Sequence, residues 1–411
     1  MRIYHLMLSA AAIAAAFACA DTVSAADGRS AGHDDYNSTR SAVERLMKRA
    51  VPRLQYDPSI PADSLAAWRE AMSAAMRRLM RHPDAPAALP RKICEARRDG
   101  YTVERWESFP LDEHPVAFFV MRPDSAHASH AAVLCIPGSG QTKELLAGER
   151  EGNFSLEGAS DSVVRRQAMG LHMVRRGLTA VVVDNPCFGE QSDQGVYDDI
   201  TPSRFLLEMG WSYLGLASWN DKVVLDWMKT QSYINKERII VSGFSLGTEP
   251  LMALGLLDDS IYAFVYNDFL CRTRERALAL NARDDKGRHG YPNSIRHLIP
   301  EFLTEFDFPD IVAALAPRPV ICTEGGLDRD FRLIESAYDK AGAPEAFEWH
   351  HYAKYADPAD RTDYDSLPEG LSRDEFYRMV NVDGPNHYFK MEWVGPWLDR
   401  LLAPQMQNRD D

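Results

Sequence analysis

Cysteine is scarce in this chain, with six in 411 residues and no C-x-x-C pair. Zinc ribbons and dithiol redox centres need that spacing, so neither chemistry is signalled. Cys135 and Cys322 fall inside apolar runs and read as small buried hydrophobes. Cys94, Cys187 and Cys271 lie nearer element ends, where an oxidising compartment would allow a disulfide that spacing alone cannot pair. No stretch beyond Ala20 is long and apolar enough to span a bilayer. Basic runs stay short, and the net charge of −14 is spread along the chain, which argues against nucleic acid or an anionic membrane as partner. No internal repeat is present, so a propeller or solenoid is excluded. Gly138-Ser139-Gly140 lacks the third glycine of a dinucleotide fingerprint.

What remains is ordinary for a soluble globular protein: 45% hydrophobic and 26% charged residues. The length suits one large α/β domain with additions, or two domains. Residues 1–26 read as a signal peptide: Arg2 at the start, an apolar stretch from Leu6 to Ala20, and a small-residue cleavage site at Val23-Ser24-Ala25. Export to the periplasm or beyond is therefore expected. Phe17-Ala18-Cys19 offers the alternative of a lipid anchor on Cys19. Residues 27–100 read as a polar lead-in followed by a helical extension. In it, Leu65, Trp68, Met72, Met76 and Leu79 recur at helical spacing before a breaker segment from Pro83 to Pro90. The main domain is expected over 101–403, with a tail at 404–411.

Within that domain, strands and helices alternate. Val103–Phe109 and Val116–Met121 form an expected antiparallel pair around Asp112-Glu-His-Pro115. Ala131–Ile136, Thr179–Val183, Ile239–Val241, Ile261–Tyr266, Pro319–Thr323 and Phe347–Tyr352 read as further strands. Helices are expected at Asp161–Arg176, at Arg204–Lys229 with a break near Gly215, at Phe331–Ala341 and at Glu392–Leu402. This alternation predicts a mostly parallel central sheet with helices on both faces. Two stretches interrupt it, 270–309 and 353–386. Both would emerge at the carboxyl edge of the sheet, where they could form cap or lid segments over a pocket.

The chain is organised around Gly243-Phe-Ser245-Leu-Gly247, a G-x-S-x-G between a β-branched strand and an apolar helix. The pattern alone is common by chance, but strand, tight turn and helix together are the context of a nucleophile elbow. A serine hydroxyl needs a base, and the base needs an orienting acid. In such folds the order is serine, acid, histidine. Asp328 follows the Gly325-Gly326 turn after a strand, and is preferred as the acid over Asp330, which would already enter the following helix; Asp268 is a weaker alternative. His387, in a Gly/Pro loop before the last helix, is the expected base, while His350 and His351 read as part of the last strand. The backbone amides of Leu246 and of Ser139, in Ile136-Pro-Gly-Ser-Gly-Gln141, would stabilise an oxyanion.

These pieces carry a resemblance. From about Thr102 to Leu402 the chain resembles the α/β-hydrolase superfamily, and within it the secreted bacterial acetyl xylan esterase-like and dienelactone hydrolase-like esterases. The similar motifs are Ile136-Pro-Gly-Ser-Gly, Asp184-Asn-Pro-Cys-Phe-Gly-Glu190, Gly243-Phe-Ser-Leu-Gly247, Ala314-Leu-Ala-Pro-Arg-Pro319 with Gly325 to Asp328, and Gly384-Pro-Asn-His387. The resemblance implies a Ser-His-Asp triad of Ser245, His387 and Asp328, no metal or other cofactor, and hydrolysis of carboxylic esters through an acyl-enzyme. It further implies a small-molecule or glycan ester, preferably an acetylated carbohydrate, as substrate. Pro137 departs from the histidine that many relatives carry before the oxyanion glycine. Trp106, Trp211, Trp219 and Trp349 could stack on sugar rings, although tryptophan is more often core. A peptidase of the same fold and a non-catalytic envelope binding protein are the competing expectations.

Overall fold

Nine strands form one sheet: β1 (Ala88–Arg98), β2 (Tyr101–Leu111), β3 (His114–Pro123), β4 (Ala132–Ile136), β5 (Thr179–Val182), β6 (Ile239–Phe244), β7 (Ala263–Asn267), β8 (Val320–Cys322) and β9 (Phe347–Trp349). They are seen in a computed structural model that describes residues 38–149, 160–281, 294–368 and 370–403. The expected signal peptide, Cys19 and the tail at 404–411 lie outside the described residues. The chain divides into two units, Met1–Ala50 and Val51–Asp411. In the first, helix α1 (Thr39–Arg49) starts at Ser38, whose side chain accepts the Ser41 amide as an N-cap.

The strand order is β1-β2-β3-β5-β4-β6-β7-β8-β9. β1, β2, β3 and β5 pair antiparallel along one flank, and β5, β4, β6, β7, β8 and β9 pair parallel. The chain runs from β4 outward to β5, then back past β4 to β6. The carboxyl ends of β4 and β6 therefore flank the topological switch point, where a crevice opens in sheets of this kind.

Both sheet faces are covered, and the strand residues show why. Ile239 and Val241 of β6 join one core and Ile240, between them, joins the other. Leu134 and Ile136 of β4 divide from Val133 and Cys135 in the same way. Side chains alternate along a strand, so an unbroken apolar run needs a partner layer on each side. The first core is covered by α2 (Leu65–Met80), α7 (Tyr213–Met228), α8 (Thr248–Leu257), α11 (Phe308–Ala314) and α12 (Asp328–Lys340). The second is covered by α5 (Met169–Arg175) and α14 (Met391–Leu401). The shorter helices α3 (Lys143–Ala147), α4 (Asp161–Gln167), α6 (Ile200–Glu208), α9 (Thr273–Leu280), α10 (Phe302–Glu305) and α13 (Arg373–Met379) lie between these elements in the chain. Among the described residues no helix is long and apolar enough to cross a membrane.

Several local expectations differ from the structure. β1 takes up residues expected to lie outside the sheet; most of it is exposed, so no apolar alternation marks it. The helix expected over 161–176 is two helices, α4 and α5, divided at Ala168 with its ψ of 63°. The break expected near Gly215 falls at Gly210, which has a φ of +75°. Gly215 lies inside α7, at a position where a Cβ would meet the Trp211 indole and the Met80 carbonyl. Met72 and Met80 of α2 are fully buried, so this helix belongs to the core of the second unit. All five cysteines among the described residues are free thiols.

Candidate active site

Ser245 leaves β6 with a φ of +50°, a backbone conformation that a non-glycine residue rarely adopts. The two flanking glycines make it feasible. A Cβ on Gly243 would collide with the Gly247 carbonyl, and one on Gly247 would collide with the Ile136 carbonyl. Strand, turn and helix thus pass closer than side chains permit. Leu246 lies in the first turn after β6, where backbone N–H groups have no acceptor further back in the helix.

The loop after β4 faces this elbow and is pinned by side chains. The Gln141 side chain accepts the Gly138 amide at 2.9 Å and donates to Gln167 at 3.0 Å. Asn185 donates to the Pro137 carbonyl at 2.7 Å. One residue earlier, Asp184 accepts the Lys143 amide at 2.7 Å and its ammonium at 2.8 Å, with both side chains buried. Glu144 and Glu190 also reach the Lys143 ammonium, at 2.8 and 2.9 Å. Burial pushes the Asp184 carboxyl up to about 6, against the pull of Lys143. The motif Asp184-Asn-Pro-Cys-Phe-Gly-Glu190 therefore acts as a clamp on the loop that carries Ser139.

His387 stacks on Phe244, with ring centroids 4.6 Å apart. Its Nδ1 lies 2.5 Å from Glu324 Oε2. Glu324 is fully buried just past the end of β8, and three more donors converge on it. The Tyr352 hydroxyl donates at 3.1 Å, the Tyr388 amide at 3.1 Å, and the Lys390 ammonium sits at 3.2 Å. With Glu324 as the acceptor, His387 carries its proton on Nδ1 and turns an Nε2 lone pair outward. Burial works against charge on this ring, but the hydrogen bond and field of Glu324, helped by Asp268, hold its pKa above the ordinary value. Asp268, past the end of β7, is pushed up to about 7 by burial.

Asp328, the acid expected from sequence, is turned elsewhere. Its carboxylate accepts from His351 Nε2 at 2.8 Å and from Arg361 at 3.2 Å. Gly325 and Gly326, with φ of +75° and +147°, turn the chain between Glu324 and Asp328. Glu324 is left at the strand end facing His387, while Asp328 opens α12 and meets His351. Asp330, the second choice, is buried against Arg272 at 2.8 Å. The signal for Glu324 was present in Thr323-Glu-Gly-Gly-Leu-Asp328, which holds an acid on each side of the turn. His350 and His351 follow β9 rather than lying within it.

Ser139, Ser245, Leu246, Asp268 and His387 all line one cleft of about 810 Å³, a size suited to a small-molecule ligand. The segment 270–309 contributes Arg276, Arg296 and His297 to its wall, and the segment 353–386 contributes Arg373, Asp374 and Tyr377. Arg296 donates to Ser139 Oγ at 2.9 Å and to Asp199 at 3.0 Å. The four tryptophans considered for sugar stacking are not in this wall. Trp219 and Trp211 donate to the Pro110 and Met80 carbonyls, Trp106 packs on Trp227, and Trp349 stacks on Phe331. Among the described residues, the phenylalanine and tyrosine rings in the wall are Phe269, Tyr352 and Tyr377.

Asp268, Glu324 and His387 each bring one possible metal-ligand atom within 4.8 Å of the others. The donor set does not suit a cation, because the Lys390 ammonium and three hydrogen-bond donors already surround Glu324.

A strained serine at the switch point of a mostly parallel sheet, sharing a cleft with an acid-held histidine, defines an α/β-hydrolase. The profile of the abhydrolase family matches residues 16–400, and the chain belongs to that family. The crystal structure of a candidate acetyl xylan esterase from Bacteroides fragilis is 48% identical, with a TM-score of 0.84; the match covers 92% of this chain and 96% of that one. A methylesterase at 17% identity (TM-score 0.51, 89% of this chain and 80% of that one) shares the fold. So does a glucuronoyl esterase from Solibacter usitatus at 15% identity (TM-score 0.50, 71% and 85%). No curated protein sequence matches the chain.

Proposed function

We propose that this chain is a serine esterase that removes short acyl groups, acetyl first among them, from acylated carbohydrate. Ser245 attacks the ester carbonyl. His387 Nε2 takes the hydroxyl proton and passes it to the leaving alcohol. Glu324, not Asp328, holds the imidazole in the required tautomer and stabilises its charged form. The amides of Ser139 and Leu246 receive the oxyanion, and water then repeats the sequence to release the acid. The observation that carries this reading is the hydrogen bond from His387 to buried Glu324, in a cleft that Ser245 also lines. The name of the 48% identical relative supports acetyl and xylan as a starting point. Export follows from the character of residues 1–26, and the substrate would then be an extracellular or periplasmic glycan.

The test is hydrolysis of 4-nitrophenyl acetate, butyrate and octanoate, and of acetylated xylo-oligosaccharides, by the chain and three variants. Ser245→Ala should lower kcat by roughly 10⁴-fold or more. Glu324→Gln should lower it on the order of 10³- to 10⁴-fold, and Asp328→Asn should leave it near wild type. A Ser245→Ala enzyme as active as wild type refutes the mechanism. An Asp328→Asn enzyme as impaired as Glu324→Gln refutes the assignment of the acid. Cleavage of peptides but not of esters would favour the peptidase.

A further inference from the structure

Arg276 is a sparsely hydrogen-bonded cation in the cleft wall. It sits on α9, in the segment 270–309, with its side chain only 16% exposed. A guanidinium offers five N–H donors in a planar fork. Among the described residues Arg276 spends one of them, on a 3.5 Å contact to Glu249 Oε1. That oxygen is already held by His297 Nδ1 at 2.7 Å. Arg296 bonds Ser139, Asp199 and Tyr197, and Arg373 lies over the Tyr377 ring. Three carboxyls line the same cleft, Glu249, Asp268 and Asp374. Glu249 is hydrogen-bonded by His297, whose pKa burial lowers, and is paired with Arg276 at 3.5 Å, while burial pushes the Asp268 carboxyl up to about 7.

A nearly buried guanidinium with donors to spare, facing a ligand cleft, matches the geometry of a carboxylate. A neutral sugar hydroxyl would satisfy one donor and leave the long contact to Glu249 as the fork's charged pairing. We propose that Arg276 forms a carboxylate subsite beside Ser245, so that the substrate is an O-acylated saccharide carrying a uronic acid. This rests on the esterase reading above and narrows it from acylated carbohydrate in general to the acidic kind. Arg276 holds the carboxylate while the acyl group on the same or the neighbouring sugar reaches Ser245. No bond to the carboxylate forms or breaks.

The experiment compares two matched esters, an acetylated methyl glucuronide and the equivalent acetylated methyl glucoside, on wild type, Arg276→Met and Arg276→Lys. The quantity read is the ratio of kcat/KM for the acidic ester over the neutral one. Taking the ratio within each variant cancels any general loss of activity. Charge-assisted hydrogen bonds of this kind correspond to roughly 10- to 100-fold in affinity. Wild type should show that preference, Arg276→Met should bring the ratio near one, and Arg276→Lys should retain part of it. Binding of free glucuronate against glucose to Ser245→Ala, followed by calorimetry, should show the same order without turnover. A wild-type ratio of one, or an Arg276→Met enzyme that keeps the wild-type ratio, overturns the subsite. If both sugar esters and 4-nitrophenyl acetate are inert while Ser245→Ala still prefers glucuronate, the esterase reading fails and the carboxylate site stands.

Discussion

His387 titrates under two opposed influences, and the sign of the outcome matters for activity. Burial alone would lower its pKa, yet Glu324 and Asp268 raise it above 6.5. In the proposed mechanism His387 is the base, and a base must be neutral to accept the serine proton. The acid limb of kcat/KM against pH should therefore lie above 6.5, and Glu324→Gln should move it down while lowering the plateau. For stability the sign is the reverse. A histidine with a raised folded pKa favours the fold below its unfolded value, and that contribution fades as pH rises through the folded value. Urea melts at pH 5.5 and 8.5 should show Glu324→Gln costing more at the lower pH. Asp328 gives the opposite dissociation from Glu324. It holds the buried ring of His351 at 2.8 Å, so Asp328→Asn should destabilise by about 1–3 kcal/mol and spare turnover. A thermal melt read beside an ester assay distinguishes the two carboxyls.

Among the elements, the loop after β4 and the turn after β5 behave as one part. Lys143, fully buried, ties them through Asp184, and the adjacent Asn185 holds the Pro137 carbonyl. Removing the ammonium leaves a buried Asp184 without its cation, the arrangement that makes broken buried pairs costly. Lys143→Met should lose about 3–5 kcal/mol in chemical denaturation. Replacing Lys143 and Asp184 together by apolar residues should recover much of that stability. Turnover should not recover with it, because the loop bearing Ser139 would no longer be clamped. Recovery of both would show that the clamp serves the fold alone.

For the whole molecule, helix α2 is the informative piece. It precedes the expected boundary of the main domain, yet it packs on α7 and α8 and shares their core. Met72→Ala should therefore cost about 2–5 kcal/mol. It should lower the main unfolding transition seen by calorimetry rather than create a separate early one. A separate low-temperature transition would mean that α2 melts on its own. The segments at 270–309 and 353–386 work at the same scale, since Arg276, Arg296 and His297 of the first and Arg373, Asp374 and Tyr377 of the second line the cleft that holds Ser245.

Local patterning by itself marked out the parallel strands, the strand–turn–helix around Ser245 and the loop that carries His387. Each rests on neighbours in the chain: β-branched runs such as Ile239-Ile-Val241, glycines two residues either side of Ser245, and a Gly/Pro loop before the last helix. β1 escaped notice because it is largely exposed and pairs through backbone groups that carry no side-chain signature. The partner of His387 was decided only in three dimensions. Glu324 and Asp328 stand four residues apart with equal chemical claim, and the backbone turn at Gly325-Gly326 sends one to His387 and the other to His351. Likewise nothing near Arg276 in sequence shows that it faces the cleft. Its donors are left open by the packing of α9 beside Glu249 and His297, and tertiary contact alone sets which hydrogen bonds a long side chain can make.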